Sequence, residues 1–297
     1  MAAASPALAA ATIELTSKLT TSNPEWCVGT ASVASSFVAK FAWSEVAAIR
    51  VLREARVLAA LADALPELPI PRLIGVSNDP VIFVTRLVDG APLGHDERPD
   101  WRAVEAAVAD FLAVLHDAAV LRQIQEEVPG LVRPQPQATT DAIRSRLPRF
   151  LDPLRTELVI EWCDWADRIL ATPSRRQVLA HGDLHGYNQI WDRRTWNLRL
   201  VADFEMAGPA DAEYDLRYFP PLKPTLQLVR GICERYSTRT GYSIDVHRVM
   251  AWHIRTALGD ALWRSEARVP LPAGCTPASY VDDIERKIKE LERPPTS

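Results

Sequence analysis

The sequence predicts an α+β protein with a small, strand-rich amino-terminal lobe and a larger, mostly helical carboxy-terminal lobe. Within the first ninety residues, short apolar runs alternate with polar turns around a single helical pattern. Beyond them the patterns are mostly helical, apart from a compact strand-rich insert at 178–205. The change of pattern predicts a hinge at about 86–92, with one lobe at 1–90 and the other at 91–297.

The amino-terminal lobe has five apolar runs that predict strands, at 13–20, 26–29, 37–41, 73–76 and 81–88. A helical pattern fills 44–65, where Ser44 suits an N-cap and Val51, Leu58 and Leu65 recur at intervals of seven. Three prolines between residues 66 and 71 follow, and they end this helix because proline lacks a backbone N–H.

Helical patterns fill most of the carboxy-terminal lobe. One ends near His116 and carries an apolar stripe that includes Val108 and Leu112. A second spans 139–171, with Leu154, Leu158, Trp162, Trp165 and Ile169 on one face. Three more patterns, at about 223–238, 245–266 and 278–292, complete the chain.

Composition argues against several classes of protein. The 297 residues are 47% apolar, enough for a buried core, and a net charge of −4 argues against a polybasic nucleic-acid surface. Residues 1–12 do not form a signal peptide, and no apolar run reaches the roughly 20 residues of a membrane helix. The four cysteines form no C-x-x-C pair. We therefore expect a soluble, cytoplasmic monomer or homodimer that binds neither nucleic acid nor membranes.

Two neighbouring motifs carry the chemistry. The first is His-Gly-Asp-Leu-His-Gly-Tyr-Asn at 181–188, and the second is Leu-Val-Ala-Asp-Phe-Glu at 200–205. A hairpin can bring Asp183, Asn188 and Asp203 to one end of its strands. Phosphoryl transfer needs this set, since one carboxylate accepts the proton of a hydroxyl while an amide and a second carboxylate hold Mg²⁺.

An independent signal comes from the amino-terminal lobe. Lys40 ends the apolar run Phe-Val-Ala-Lys and is one of only two lysines before residue 223. Glu54 lies on the apolar stripe of the next helix, between Val51 and Leu58, where an unpaired carboxylate would be costly to bury. An ion pair between Lys40 and Glu54 satisfies that carboxylate, as in kinase-like sites. The alternative is a lysine that reaches solvent beside a glutamate at the rim of the stripe.

The same loop allows a different chemistry. His181, Asp183 and His185 alternate as metal ligands on a strand do, which leaves a metallohydrolase as an alternative. That reading needs further ligands at regular spacing, and the other four histidines are isolated in the sequence. A catalytically silent nucleotide-binding module is the third possibility, although a module without activity has no reason to keep Lys40 together with the loop residues.

The H-G-D-x-x-x-x-N loop and the following Asp-Phe-Glu resemble the aminoglycoside phosphotransferase family, which has a protein-kinase-like fold. The resemblance implies that Asp183 is the catalytic base and that Asn188 and Asp203 hold Mg²⁺. The segment 208–216 is similar to one in which an aspartate, here Asp215, supports the catalytic loop. We expect His181 to support the loop through hydrogen bonds, which is the usual role of a loop histidine.

The family resemblance also implies a nucleotide site for ATP or GTP, with Lys40 and Glu54 in it. Thr-Thr-Ser-Asn at 20–23 resembles the family's phosphate-binding turn, which would place Ser22 and Asn23 on a phosphate; a plain surface turn is the alternative. The run 84–90 resembles the segment whose backbone holds the adenine edge, and this would involve Arg86 and Val88.

The acceptor implied by the family is a hydroxyl of a small molecule, and an aminoglycoside or related cationic antibiotic is the interpretation we favour. Such an enzyme would confer antibiotic resistance. Asp260 is our candidate acceptor-binding residue because it lies near an otherwise apolar helix face. Relatives also phosphorylate metabolites such as choline or homoserine, so a metabolite kinase of choline, homoserine or sugar type remains the alternative.

Overall fold

The computed structural model describes residues 1, 3–16, 27–94, 99–174, 176–222, 225–271 and 274–292. The chain forms two compact units, one of Met1–Arg133 with Val178–Pro209 and the other of Pro134–Gln177 with Ala210–Ser297. Each unit combines two separate stretches of the chain, so this division does not test the boundary expected at 86–92. That boundary stays a prediction. None of the helices in the described ranges is long and apolar enough to cross a membrane.

A five-stranded antiparallel sheet forms the core of the first unit. Its strands are β1 (Ile13–Leu15), β2 (Val28–Val33), β3 (Phe37–Ala42), β4 (Leu73–Asn78) and β5 (Val81–Arg86). They lie side by side in the order β1-β2-β3-β5-β4. The predicted strand pair around residues 77–80 is therefore confirmed as the β4–β5 hairpin. Strand β3 lies at the centre, and its Lys40 is aligned with Thr30 on one side and Phe83 on the other.

Helix α1 (Glu45–Ala64) crosses this sheet and confirms the helix predicted over 44–65. It begins where the Ser44 side chain accepts a hydrogen bond from the backbone N–H of Ala47, which satisfies one of the free N–H groups of the first turn. Its buried face includes Val51, Leu58 and Leu61, together with the carboxylate of Glu54. The helix therefore carries one charged group into the apolar layer.

The rest of the first unit contains two further helices and a small antiparallel sheet. The helices are α2 (Trp101–Leu115), as predicted, and α3 (Ala118–Glu127), which we did not predict. The sheet consists of β6 (Ala91–Pro92), β8 (Gln189–Trp191) and β9 (Leu198–Val201), in the order β6-β8-β9. Two more strands, β7 (Gln177–Ala180) and β10 (Gly208–Asp211), precede and follow this insert in the chain.

The second unit is helical. Its helices are α4 (Thr140–Arg146), α5 (Pro153–Ala171), α6 (Leu226–Thr240), α7 (Val246–Ala267) and α8 (Pro277–Leu291). The last three confirm the predicted patterns. The single helix predicted over 139–171 is wrong, because Pro148 and Pro153 interrupt it. The predicted apolar face is also partly wrong, since Leu154 is 67% exposed while Val159 and Cys163 enter the core.

The N-cap of α1 provides a test of how this helix is held. We expect Ser44→Ala to lower the free energy of unfolding by about 1 kcal/mol, because it removes the acceptor for the Ala47 N–H. Urea unfolding followed by circular dichroism measures this loss. Ser44→Asp keeps an acceptor and should remain close to the wild type; an equal loss in both variants would contradict a capping role.

Candidate active site

The ammonium group of Lys40 is the centre of the candidate site. Strand β3 points this side chain toward α1, where Lys40 Nζ lies 2.6 Å from Glu54 Oε2. The Glu54 side chain is only 2% exposed and that of Lys40 is 12% exposed. The structure thus contains the ion pair that the apolar surroundings of Glu54 require, and the alternative of a glutamate at the rim does not hold.

Two further carboxylates reach the same ammonium group from the segment after β9. Lys40 Nζ lies 2.6 Å from Asp203 Oδ1 and 3.2 Å from Glu205 Oε2. Asp203 has a left-handed backbone, with φ of 70°, at the point where the chain leaves the strand and enters a short 3₁₀ turn. A non-glycine residue seldom adopts this conformation, and such residues often occur at functional sites.

Burial and charge act in opposite directions on this cluster. Burial alone would lower the pKa of Lys40, but the coulombic attraction of the three carboxylates outweighs it and raises that pKa well above its ordinary value. Burial raises the pKa of Glu54 to about 7, against the attraction of Lys40. Lys40 therefore stays charged at neutral pH, and the ionisation of Glu54 depends on keeping its partner.

The catalytic-loop motif lies between β7 and β8, and His181 fixes it to the end of β9. The backbone N–H of Asp183 donates to His181 Nδ1 at 3.1 Å, so the ring carries its proton on Nε2. That Nε2–H donates to the carbonyl of Ala202 at 2.9 Å. His181 is fully buried and packs edge-on against Phe204, with ring centroids 4.5 Å apart. It thus connects the residue before Asp203 to the loop that carries Asp183.

Asn188 closes the loop back on Asp183. Its amide Nδ2 donates to the backbone carbonyl of Asp183 at 2.9 Å and approaches Asp183 Oδ2 at 3.5 Å. The backbone N–H of Ala202 donates to the Asn188 carbonyl at 2.8 Å. These bonds place Asp183, Asn188 and the Asp203 end of β9 in one hydrogen-bonded network.

Gly182 allows the loop to approach the 3₁₀ turn after Asp203. Its φ is +84°, and a Cβ atom there would lie 2.2 Å from the carbonyl oxygen of Met206. A Cβ atom and a carbonyl oxygen cannot lie so close together, so glycine is necessary at position 182.

His185 lies beside the carboxylate of Asp183. Its Nδ1 accepts the backbone N–H of Tyr187 at 3.2 Å, which leaves the proton on Nε2. Nε2 lies 3.5 Å from Asp183 Oδ2. The metallohydrolase alternative gains nothing from this geometry. The described His, Cys and acidic residues form a potential metal cluster at Glu54, Asp203 and Glu205, which includes neither histidine.

The oxygen ligands of the site suit Mg²⁺, which binds carboxylate and amide oxygens. Oxygens of Glu54, Asp203 and Glu205 all lie within 4.8 Å of one another. Asp203 is the most accessible of the three, with its side chain 34% exposed. Asn188 donates through its amide nitrogen to Asp183, and its amide oxygen is of the kind that Mg²⁺ binds. The assignment of Asp203 and Asn188 as the magnesium ligands stays a prediction.

The remaining candidates have the following positions. Arg86 is exposed at the end of β5, and Val88 is half-buried after it. Asp215 is fully buried in the second unit, in the 3₁₀ segment Ala212–Tyr218. Asp260 lies on α7, where its carboxylate accepts from Arg264 Nε at 2.9 Å and from the hydroxyl of Tyr280 at 3.1 Å. Ser22 and Asn23 lie outside the described residues. The roles of all these residues stay predictions.

Sequence reasoning missed the group of arginines beside this cluster. Arg50 of α1 forms a salt bridge with Glu205 Oε1, and Arg53 Nη2 donates to the Glu205 carbonyl at 3.2 Å. The spacing of Arg50, Arg53 and Glu54 at i, i+3 and i+4 was the available signal, because such residues share one helix face.

A cavity of about 790 Å³ also lies in the first unit, away from this cluster. The end of α1, one face of α2 and the turn at Trp196 line it, and none of the charged site residues does. The candidate site is therefore identified by its charges and hydrogen bonds, and not by cavity size.

Comparisons with known proteins bear on the family and the fold. The model of the phosphotransferase enzyme family matches residues 18–240. The structure of the GDP complex of aminoglycoside 2'-phosphotransferase-IIIa superposes with a TM-score of 0.68 at 18% identity, covering 97% of this chain and 95% of that one. Macrolide 2'-phosphotransferase type I gives 0.59 at 17% identity, with 88% and 86% covered. The streptomycin–ATP–APH(2'')-IIa complex gives 0.57 at 14% identity, with 94% and 91% covered. None of the curated protein sequences matches the chain.

The raised pKa of Glu54 predicts a pH dependence of stability. The native protein holds the Glu54 proton up to about pH 7, whereas an unfolded glutamate releases it near 4.5. Because the native state binds more protons in this window, the free energy of unfolding of the wild type, relative to that of Glu54→Gln, should fall as pH rises from 4.5 to about 7.

Urea unfolding of both proteins across this pH range measures that difference. Asp63→Asn, which removes an exposed carboxylate of the same helix, is the control and should show no such slope. A difference between wild type and Glu54→Gln that stays constant with pH would mean that Glu54 titrates normally.

Proposed function

Since the chain belongs to the phosphotransferase enzyme family, we propose that it transfers the γ-phosphoryl group of ATP or GTP to a hydroxyl of a small molecule, with Asp183 as base. The observation that carries the proposal is the cluster around Lys40, in which a buried carboxylate of α1 and the carboxylate at the end of β9 share one ammonium. A kinase-like site requires this combination of strand lysine, helix glutamate and strand-end aspartate.

Asp183 acts as the base toward the acceptor hydroxyl. Its backbone is held by His181 and Asn188, and its side chain remains 26% exposed, so a hydroxyl can reach the carboxylate. His185 Nε2–H lies 3.5 Å from Asp183 Oδ2, the oxygen that Asn188 Nδ2 also approaches, and helps to fix the orientation of this carboxylate. Positioning of the hydroxyl in line with the phosphorus supplies most of the rate enhancement.

Lys40 binds the α- and β-phosphates of the donor. Its ammonium meets Asp203 in this structure, and phosphate oxygens of a bound nucleotide would replace that carboxylate. Asp203 and Asn188 would hold Mg²⁺, which would neutralise negative charge on the phosphates. Glu54 stays on Lys40 throughout and keeps the ammonium directed at the phosphates.

The adenine or guanine base belongs, in this proposal, at the backbone of Arg86 and Val88, in the hinge at 86–92 between the lobe at 1–90 and the lobe at 91–297. Ser22 and Asn23 contribute phosphate contacts. Asp215 supports the catalytic loop. We place the enzyme in the cytoplasm, where nucleoside triphosphates are available and where the four free cysteines stay reduced.

The acceptor we propose is an aminoglycoside or a related antibiotic. Structures of similar fold include complexes with kanamycin, streptomycin and gentamicin, and this supports the proposal. Asp260 is its candidate ligand for a cationic group. Arg264 and Tyr280 already donate to the Asp260 carboxylate, which leaves less of its charge for a cationic acceptor. This favours an acceptor with fewer positive charges, so a metabolite kinase is the second candidate.

Removal of the base tests the reaction. Asp183→Asn should lower kcat by about 10²–10⁴-fold, because the amide cannot accept the hydroxyl proton. Its affinity for the nucleotide should stay near that of the wild type, since the proposal assigns no nucleotide contact to this side chain. Release of ADP or GDP measures the first quantity and isothermal calorimetry the second. Asp63→Asn is the matched control, and a normal kcat in Asp183→Asn would show that the base lies elsewhere.

A panel of acceptors tests the substrate class. Aminoglycosides, a macrolide, choline and homoserine are compared in a coupled assay for nucleoside diphosphate release. We expect an aminoglycoside to give the highest kcat/KM, and expression of the protein to protect bacteria against that compound. Higher kcat/KM with choline or homoserine, and no protection, would establish the metabolite kinase instead.

A further inference from the structure

Three side chains from one turn of α1 hold the two residues that follow Asp203. Glu54 Oε1 accepts the backbone N–H of Phe204 at 3.1 Å, and Arg53 Nη2 donates to the backbone carbonyl of Glu205 at 3.2 Å. Arg50 forms a salt bridge with the Glu205 carboxylate. The helix is thus attached to this segment through both backbone and side-chain groups.

The two carboxylates of this segment differ in their surroundings. Glu205 is only 16% exposed, and its two oxygens face two different cations, Arg50 at Oε1 and Lys40 at Oε2. Asp203 is 34% exposed and meets Lys40 with Oδ1. Glu205 therefore has a cationic partner in α1 besides Lys40, whereas Asp203 meets Lys40 of β3.

Three side chains of the cluster are basic. Lys40 meets the carboxylates of Glu54, Asp203 and Glu205, Arg50 meets that of Glu205, and Arg53 donates to the Glu205 backbone carbonyl. When phosphates draw Lys40 away from Asp203 and Glu205, the guanidinium of Arg50 still neutralises Glu205. The Arg50–Glu205 salt bridge can therefore persist in both states of the site.

From these contacts we propose that Glu205 is a positioning residue, which holds helix α1 at the Asp203 end of β9 through its salt bridge to Arg50. By fixing α1 it keeps Glu54 on Lys40, and it does not ligate the metal. The inference rests on the proposed function for its effect on nucleotide binding, but the attachment of α1 does not depend on that function.

A double-mutant cycle tests the proposal in the full-length protein. The variants are Glu205→Gln, Arg50→Met and the double variant, with Arg56→Met on the exposed side of α1 as control. Calorimetry measures the dissociation constants of ATP and GTP with Mg²⁺, and a Mg²⁺ titration gives the half-saturating Mg²⁺ concentration. Hydrogen exchange of the α1 amides is measured in nucleotide-free protein.

We expect each single variant to bind nucleotide about tenfold more weakly and the double variant no more weakly than either, because both changes break one salt bridge. Exchange of α1 should accelerate in all three variants, while the half-saturating Mg²⁺ concentration stays unchanged. Arg50→Lys, which keeps the charge, should recover most of the affinity. Arg50→Gln replaces Arg50→Met in the cycle if that variant does not fold.

Other results would overturn the proposal. A higher Mg²⁺ requirement in Glu205→Gln alone, with normal exchange of α1, would make Glu205 a metal ligand. Additive losses in the double variant would show that the two residues act separately. If the wild type binds neither nucleotide, the proposed function fails, and the exchange of α1 still decides whether Glu205 positions the helix.

Discussion

The attraction between one ammonium group and three carboxylates is the interaction on which the rest of the site depends. Glu54 is buried on the apolar face of α1, where a charge without a partner would cost about 3–5 kcal/mol. Lys40 offsets part of that cost, and in doing so it fixes α1 to the central strand of the sheet. The same ammonium also holds Asp203, so helix, sheet and the end of β9 meet at a single atom.

The second constraint is the buried ring of His181. Because its two nitrogens bond to Asp183 and to Ala202, the catalytic loop and the residue before Asp203 cannot move independently. Asp183 and the carboxylate at the end of β9 are therefore placed by the same few hydrogen bonds. This suits phosphoryl transfer, in which alignment and electrostatic stabilisation account for most of the catalysis.

Much of this site could be predicted from the sequence. The Lys40–Glu54 pair followed from one carboxylate on an apolar stripe. The 181–205 motif predicted that Asp183, Asn188 and the Asp203 end of β9 meet, as they do, while their roles stay predictions. The salt bridge between Glu205 and Arg50 was missed. The chain has 29 arginines, and the sequence does not show which acidic residue Arg50 meets in the folded protein. The prediction of one long helix over 139–171 was wrong because it followed the apolar spacing and ignored Pro148 and Pro153, which interrupt the helix.

The central claim is that Lys40 exchanges Asp203 for phosphate when a nucleotide binds, while Glu54 remains its partner. A crystal structure with Mg²⁺ and a non-hydrolysable ATP or GTP analogue tests this most directly. The account predicts Lys40 on the phosphates and on Glu54, with Asp203 and Asn188 on the metal. A structure in which Lys40 still holds Asp203 while the nucleotide and metal lie elsewhere would contradict it.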